Sequence, residues 1–411
     1  MKYSNAIIAL LSAFSAVTTK AFTVSLNNHA ISGRVSTAAP AVPSVLSSLK
    51  MSTTDEEVET SVELSAEFKG AMEKTIEGLK AALPDEKLLG LLEHFTTEYF
   101  TACQQASNSG NDKVTAASTA KNMMNALQYG MKYGLGDKFS FGTIHTALRG
   151  NPENEDGNEI DFYAFGCNFF GPAMDLDNSP VLGVEFLKKA SEQLKNGENV
   201  VLLANHQSEA DPQVVSKLLE KVDMTEEAEN LFYVAGHKVT TDALAIPFSM
   251  GRNLICIHSK KHIDADPETK PKKQKQNLTA MNGMLGKLKA GGTMIWVAPS
   301  GGRDRRNVET GDVPLAPFDQ KTVDMFRLMG NKSKVPTHFY SFSMVSYDLC
   351  PPPDFVEAGT GEQRNVRFVP VGISCSEEIE NEGGVESRQL FSEKAFEACQ
   401  KGYDELLSKM Q

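Results

Sequence analysis

Residues 200–212 read VVLLANHQSEADP, and this stretch decides the fold class. Its first five residues are apolar, with Gly197 before them and polar residues after them. Such a run is typical of a short strand that is covered on both faces of a parallel sheet. His206 then lies in the turn at the carboxyl end of that strand. Because ligands bind at the carboxyl ends of the strands in open α/β sheets, this histidine is well placed for chemistry.

Asp211 follows His206 by five positions, and the pair has the chemistry of a general base with its orienter. A neutral imidazole can take a proton from an alcohol near neutral pH, and a carboxylate on the other ring nitrogen fixes the tautomer and stabilises the imidazolium. Such a pair needs no serine or cysteine nucleophile. The alternative is structural: Asp211 followed by Pro212 is also typical of a helix start, with the aspartate as N-cap.

Two later apolar runs also end in basic residues. The run at 254–257 leads to Lys261 and His262, and the run at 293–298 passes through a Gly-Gly turn to Arg303 and Arg305. The planar guanidinium suits a phosphate, and glycine lets the backbone approach a ligand closely. Each basic group alone is typical of a solvated loop. Together, the three strand ends predict a site that deprotonates an alcohol on a phosphorylated substrate.

Three segments together resemble the glycerol-3-phosphate and lysophosphatidate acyltransferases, and more narrowly the soluble plastid glycerol-3-phosphate acyltransferases of plants and algae. They are NHQSEADP at 205–212, PFSMGRNLICIHSKK at 247–261 and APSGGRDR at 298–305, and the resemblance covers roughly residues 55–411. It implies that His206 is the general base and Asp211 its orienter. It also implies that the phosphate of glycerol 3-phosphate is bound by four residues, namely Lys261, His262, Arg303 and Arg305.

The implied reaction is transfer of a fatty acyl group to the sn-1 hydroxyl of glycerol 3-phosphate. The acyl donor would be a thioester of acyl carrier protein or of coenzyme A, with no further cofactor and no metal. Two departures from the family pattern stand out. His237 and Lys238 occupy positions where similar plant sequences look like Asp-Arg, and Ser341 replaces an expected proline.

Three other functions remain open at this stage. A lysophosphatidate acyltransferase shares the same chemistry, although such enzymes are usually membrane-bound. A thioester hydrolase is disfavoured because the chain lacks a Gly-x-Ser-x-Gly elbow. A non-catalytic relative that binds the acyl carrier or an acidic phospholipid is the third alternative.

Residues 1–54 contain no acidic residue, and their composition predicts a targeting presequence. The weakly apolar stretch 6–17 with a cleavage residue at Ala21 is typical of a secretory signal, and the Ser/Thr/Ala-rich remainder is typical of a transit peptide. With Phe22 directly after Ala21, the pairing resembles the bipartite presequences of complex algal plastids, which implies the plastid stroma. A plain secretory signal is the alternative. The six cysteines show no disulfide framework, which favours a reduced compartment.

The patterns predict an α/β fold with a largely parallel sheet flanked by helices and a small N-terminal helical bundle domain. Residues 55–148 carry three amphipathic helical patterns, the first of them ended by Pro84. In residues 149–411 apolar runs alternate with helical patterns, and a final helical pattern covers 389–411. The predicted strands are 200–204, 231–235, 254–257, 293–298, 337–345 and 366–373.

The formal net charge of -12 disfavours nucleic acid as a partner. Beyond the presequence no apolar run approaches the roughly 18 to 20 residues that a spanning helix requires, so we expect no transmembrane segment and at most peripheral membrane contact. Within this acidic chain, TKPKKQK at 269–275 is a basic island. We expect it to dock the acidic acyl carrier protein; a solvated loop is the alternative.

Overall fold

The structure is a computed structural model that describes residues 63–150, 160–352, 363–381 and 385–410, without the side chains of His237, Lys260, Lys261 and Val385. The predicted presequence, residues 1–54, lies outside the described residues.

Three helices form the N-terminal bundle, as predicted. Each begins at a polar residue whose side chain accepts a hydrogen bond from a backbone N–H of the first turn, and these residues are Ser65, Asp85 and Thr115. The helices are α1 (Ala66–Ala82), α2 (Glu86–Asn108) and α3 (Ala116–Tyr129), and a π-helical segment (Gly130–Gly136) continues the third. Pro84 lies between the first two helices, where a residue without a backbone N–H ends helical pairing.

The described residues form one sheet of eight strands in the order β1-β5-β4-β6-β3-β7-β8-β2. The strands are β1 (Ile144–His145), β2 (Val181–Leu182), β3 (Asn199–Ala204), β4 (Phe232–Ala235), β5 (Asn253–Cys256), β6 (Met294–Val297), β7 (Thr337–Val345) and β8 (Gly372–Glu378). The five adjacent strands β5, β4, β6, β3 and β7 are parallel to one another. β1 pairs antiparallel with β5, β8 pairs antiparallel with β7, and β2 pairs parallel with β8. The predicted α/β fold with a largely parallel sheet is confirmed.

Helices cover both faces of this sheet. They are α4 (Phe162–Phe170), α5 (Val184–Lys195), α6 (Asp211–Lys221), α7 (Thr225–Asn230), α8 (Ala245–Met250), α9 (Lys260–Asp264), α10 (Lys270–Ala290), α11 (Gln320–Ser333) and α12 (Arg388–Met410). Alternate side chains of β3 enter two separate cores, with Leu202 on the face that carries the bundle and Leu203 on the face that carries α10 and α11. Within the described ranges, no helix combines the length and the apolar character needed to cross a bilayer.

Aromatic side chains join the bundle to the sheet. Tyr99 of α2 stacks on Phe169 of α4 with ring centroids 4.2 Å apart, and its hydroxyl donates to the Phe169 carbonyl at 2.9 Å. Phe248 of α8 packs edge-on against the same phenylalanine at 5.2 Å. The bundle and the sheet therefore share one apolar core. The predicted domain boundary between residues 148 and 149 stays a prediction.

One predicted strand, 366–373, is placed wrongly. Residues 366–371 are buried at Val366 and Val371, but they make only an isolated bridge between Val369 and Met174. Pro370 has no N–H to donate to a ladder, so the apolar pattern here reports burial and not strand pairing. The strand β8 begins only at Gly372 and carries serines under α12. The two-residue strands β1 and β2 were not predicted, because they are too short to show a period.

Ser341 stands in β7, where the family pattern led us to expect a proline. Its N–H donates to Ser376 Oγ at 2.9 Å and its hydroxyl donates to the Ala395 carbonyl at 2.5 Å. A proline has neither donor. The serine thus ties the strand to β8 on one side and to α12 above.

The close packing of α12 on the sheet predicts that Gly402→Ala destabilises the fold. An added Cβ would lie 2.6 Å from Ser343 Oγ and 3.0 Å from Ser374 Oγ. We expect the free energy of unfolding to fall by about 1–3 kcal/mol, although alanine is the better helix former. Urea denaturation measures this. The control is Gly286→Ala in α10, where nothing lies within 4 Å of the new Cβ; equal stability of the two variants would contradict the prediction.

Candidate active site

His206 and Asp211 are hydrogen-bonded, as predicted. His206 Nδ1 lies 2.7 Å from Asp211 Oδ2, and the histidine side chain is 29% exposed while the aspartate side chain is fully buried. Helix α6 begins at Asp211 itself, and Ala210 before it makes no side-chain capping bond. The carboxylate accepts hydrogen bonds from the backbone N–H groups of Gln207 at 2.9 Å and Ser208 at 3.0 Å, which precede the helix. The alternative that Asp211 only caps the helix is therefore wrong.

The charge on Asp211 is held by five donors. Besides His206 and the two N–H groups, the hydroxyls of Ser208 at 3.0 Å and Ser346 at 2.6 Å donate to Oδ1. Burial alone would raise the pKa of Asp211, but the hydrogen bond and charge of His206, together with Ser346 and Gln207, lower it below the ordinary value. An ionised carboxylate takes its hydrogen bond from a protonated Nδ1. The neutral ring then keeps its lone pair on Nε2, as a general base requires.

Two fully buried amides attach the loop after β3 to the end of β7. Asn205 Nδ2 donates to the Met344 carbonyl at 3.0 Å while its Oδ1 accepts from the Met344 N–H at 2.8 Å. Gln207 Oε1 accepts from the N–H groups of Ser346 at 2.8 Å and Tyr347 at 3.1 Å. These bonds fix the backbone on both sides of His206. These amides are not among the residues predicted from the sequence, although a polar run directly after a fully apolar strand marks their position.

Asp304 connects the same loop to the segment after β6. Its N–H donates to the His206 carbonyl at 2.6 Å, and its Oδ2 accepts from Asn205 at 3.0 Å. Its Oδ1 accepts from the Ala316 N–H at 2.8 Å, and burial raises its pKa. Asp304 lies between the two arginines that were predicted to bind phosphate, but it was not itself predicted to belong to the site. Asp304 thus holds this arginine segment against the loop that carries His206.

Arg303 lies against the loop that carries His206. Its Nη1 is 3.6 Å from Oε1 of Glu209, which follows the histidine by three positions, and its side chain is 12% exposed. Arg305 is exposed. Gly301 in the turn before them has a φ of 71°, a conformation that favours glycine. The structure therefore brings Arg303 to the loop that carries His206, whereas Arg305 is exposed.

Lys261 and His262 lie in α9, after β5. The ring of His262 stacks on that of His258 with centroids 5.8 Å apart, and Lys273 donates to the His262 carbonyl at 2.9 Å. Burial and the charges of Lys273 and His258 lower the pKa of His262. In the sheet order, β4 separates β5 from β6, so this basic group stands two strands from Arg303. The side chain of Lys261 lies outside the described part, and the binding roles stay predictions.

An aromatic wall supports the imidazole. Trp296 of β6 packs edge-on against the His206 ring, with centroids 5.8 Å apart and an interplanar angle of 85°. Tyr233 of β4 packs against the indole in turn, at 5.8 Å. The ring of His206 is thus held on one side by buried side chains of neighbouring strands while part of it remains open to solvent.

Comparison with known proteins adds a family to this geometry. Residues 186–344 match the family model of the acyltransferases. The chain is 39% identical over 285 residues to the chloroplastic glycerol-3-phosphate acyltransferase of Arabidopsis thaliana. The aligned region covers 68% of this chain and 60% of that protein. It is 37% identical over 331 residues to a chloroplastic glycerol-3-phosphate acyltransferase of Cucurbita moschata, covering 79% of this chain and 68% of that protein.

A weaker likeness is to the solved structure of the 1-acyl-sn-glycerophosphate (LPA) acyltransferase PlsC from Thermotoga maritima. Its TM-score is 0.35 at 17% identity, and the match covers 60% of this chain and 78% of that chain. The chain spans 60% of the length of the Arabidopsis protein, which is less than two thirds.

The donors around Asp211 predict that Ser346→Ala costs stability in a pH-dependent way. Because the pKa of Asp211 is depressed in the folded protein, the stability that its carboxylate contributes is present above the unfolded-state pKa and is lost as the pH falls through the folded one. We expect a loss of about 2 kcal/mol in the free energy of unfolding near neutral pH and a smaller loss in acid, measured by urea denaturation.

The control is Ser249→Ala, which removes a buried hydroxyl that donates to the neutral carbonyl of Val239 at 2.8 Å. Its cost should not depend on pH in this range. An equal loss from Ser346→Ala at neutral and acid pH would show that the hydroxyl does not stabilise the charged form of Asp211.

Proposed function

Because the chain belongs to the family of the chloroplastic glycerol-3-phosphate acyltransferases, we propose that it transfers a fatty acyl group from a thioester to the sn-1 hydroxyl of glycerol 3-phosphate. The product is 1-acyl-sn-glycerol 3-phosphate. Membership confirms the resemblance drawn from the three sequence segments, and with it the acyltransferase class. The observation that carries the proposal is the hydrogen-bonded pair of a partly exposed His206 and a fully buried, ionised Asp211.

In the proposed mechanism, Nε2 of His206 takes the proton of the sn-1 hydroxyl of glycerol 3-phosphate. At the same time the oxygen of that hydroxyl attacks the carbonyl carbon of the thioester. The new C–O bond forms, the C–S bond breaks, and the thiolate leaves with the proton that the imidazolium returns. Asp211 stabilises the imidazolium between these two transfers. The thioester supplies the activation, so the reaction requires neither a metal nor a further cofactor.

The phosphate of the substrate is proposed to bind to the basic residues at the ends of β5 and β6. Arg303 supports this, because it lies against the loop that carries His206, with its Nη1 3.6 Å from Glu209 Oε1. Lys261, His262 and Arg305 would complete the group. Binding the phosphate at a fixed distance from the imidazole places the hydroxyl for attack and turns a bimolecular encounter into a nearly intramolecular step.

Acyl carrier protein is the proposed donor, docked by the basic island at 269–275. In the structure this segment is not a loop: the island spans the N-cap Thr269 and the first turns of α10. Lys272 and Lys275 are exposed, and Leu278 one turn further on is 62% exposed. Cations at a helix N-terminus oppose the helix dipole, so an acidic partner would relieve an unfavourable arrangement as well as pair with the charges.

We place the protein in the plastid stroma, reached through the presequence 1–54. The relatives from Arabidopsis thaliana and Cucurbita moschata are named as chloroplastic proteins. All six cysteines are free, as in a reduced compartment. The product is a lipid, so peripheral contact with a membrane surface belongs to the same proposal.

The proposed mechanism predicts that His206→Ala lowers kcat by roughly 10²- to 10⁴-fold, because no other group takes the proton. Transfer of labelled acyl groups to glycerol 3-phosphate measures the loss. The matched control is His94→Ala, since His94 lies on α2 and binds Asn365 at 2.6 Å. If His206→Ala folds normally and keeps near-normal turnover, the residue is not the base.

Docking of the carrier predicts that Lys272→Glu with Lys275→Glu raises the KM for the carrier-linked donor several-fold at low salt, with little change for a coenzyme A donor. Lys273 is left intact because it holds the His262 carbonyl. The control reverses two exposed lysines elsewhere, Lys188 and Lys289, for the same change in net charge. An equal rise in the control, or no rise at all, argues against this docking surface.

A further inference from the structure

A compact group of charged side chains adjoins the catalytic loop. Arg364 binds Glu209 Oε2 through Nε at 2.9 Å and lies 2.9 Å from Asp242 through Nη2. Glu209 Oε1 faces two more cations, with Arg303 Nη1 at 3.6 Å and Lys238 Nζ at 3.9 Å. The side chains are 11–21% exposed, apart from that of Lys238 at 45%. Glu209 is thus shared among three cations.

The members of this group come from separate loops at the carboxyl edge of the sheet. Glu209 follows β3, Arg303 follows β6, and Lys238 with Asp242 follows β4. The position of β4 between β5 and β6 matters, because the residues proposed to bind phosphate follow those two outer strands. Lys238 therefore lies on the loop that separates the two halves of the proposed phosphate site.

The ionised carboxylate of Glu209 lies beside the proposed phosphate site, and its position there requires an explanation. Burial alone would raise the pKa of Glu209, but the charges of Arg364, Arg303 and Lys238 lower it to about 2, so the carboxylate is ionised at every working pH. A buried charge is costly unless it is paired, and an anion beside a phosphate site repels the ligand. Two cations that approach one phosphate also repel each other. A carboxylate between them offsets that repulsion.

We propose that Glu209 is a positioning residue, fixed at one oxygen by Arg364, which holds Arg303 and Lys238 side by side so that both bind the phosphate of glycerol 3-phosphate. The inference rests on the proposed function for its substrate and adds Lys238 to the residues that contact it. Arg364 acts only through the carboxylate, and Asp242 holds Arg364 from the other side.

The test is Glu209→Gln, which keeps the shape of the side chain and removes its charge. We expect the Kd for glycerol 3-phosphate and for inorganic phosphate, measured by calorimetry at low salt without acyl donor, to rise about tenfold, or roughly 1.4 kcal/mol. In turnover, the KM for glycerol 3-phosphate should rise while the KM for the acyl donor stays constant and kcat falls far less. Lys238→Ala should raise the same Kd, whereas Lys238→Arg, which keeps the positive charge, should leave the Kd near the wild-type value.

The matched control is Glu220→Gln on α6, another partly buried carboxylate, which pairs with Lys217 at 2.6 Å and accepts from Tyr163 at 3.0 Å. It should leave both binding constants unchanged. A lower Kd in Glu209→Gln would overturn the inference, because the carboxylate would then compete with the phosphate. An unchanged Kd would overturn it as well.

Two further outcomes separate this inference from the proposed function. If Glu209→Gln does not fold, Lys238→Ala and Lys238→Arg test the same contact, because Lys238 is nearly half exposed. If the wild-type protein binds inorganic phosphate and the Kd rises in the variants as expected, but no acyl group is transferred, the proposed function fails and the positioning role stands. A wild-type protein that binds neither probe overturns both.

Discussion

The arrangement of the site depends on the buried carboxylate of Asp211. An ionised group is tolerated away from water only when donors surround it, and here five donors do so. They come from the loop after β3 and from Ser346 after β7, two strands that lie side by side and end at the same edge. The carboxylate therefore joins the loops of two neighbouring strands, and in doing so it fixes the tautomer of His206. A parallel sheet makes this contact available, because only parallel neighbours deliver successive loops to one edge.

The polar groups of the site come from loops because the central strands have no room for them. Every residue of β3 is buried, and alternate side chains fill cores on both faces. The polar groups of the site therefore lie at the strand ends. There Asn205 donates to Asp304, the N–H of Asp304 donates to a carbonyl of the loop after β3, and Ser346 donates to the carboxylate at the end of that loop. Polar side chains within the strands act in packing, as where the buried Ser341 and Ser343 of β7 donate to the carbonyls of α12.

Sequence patterns predicted the parts of the molecule whose causes are local. The apolar runs marked five of the strands, helix starts carried capping residues, and the short spacing between His206 and Asp211 brought their side chains together. The parts that were missed depend on partners far along the chain. Arg364 reaches Glu209 across 155 residues and Ser346 reaches Asp211 across 135, and strand order, which spacing does not encode, creates both contacts. The strand at 366–373 was misplaced because burial without ladder pairing leaves the same apolar pattern as a strand.

Two features of the chain are electrostatically unusual. Most of the longer helices with a described start carry a capping side chain, as at Asp85 and Asp319, whereas α10 starts among lysines with no side-chain cap. Glu209, likewise, is an ionised group placed where the proposed ligand is anionic. Both departures adjoin the loops at the carboxyl edge, in a protein whose net charge is -12. Lysines at a helix N-terminus do not favour the helix, and Glu209 is paired with more cations than one carboxylate requires, so we attribute both arrangements to ligand binding. The proposed anionic substrate and the proposed acidic donor would both bind to these cations.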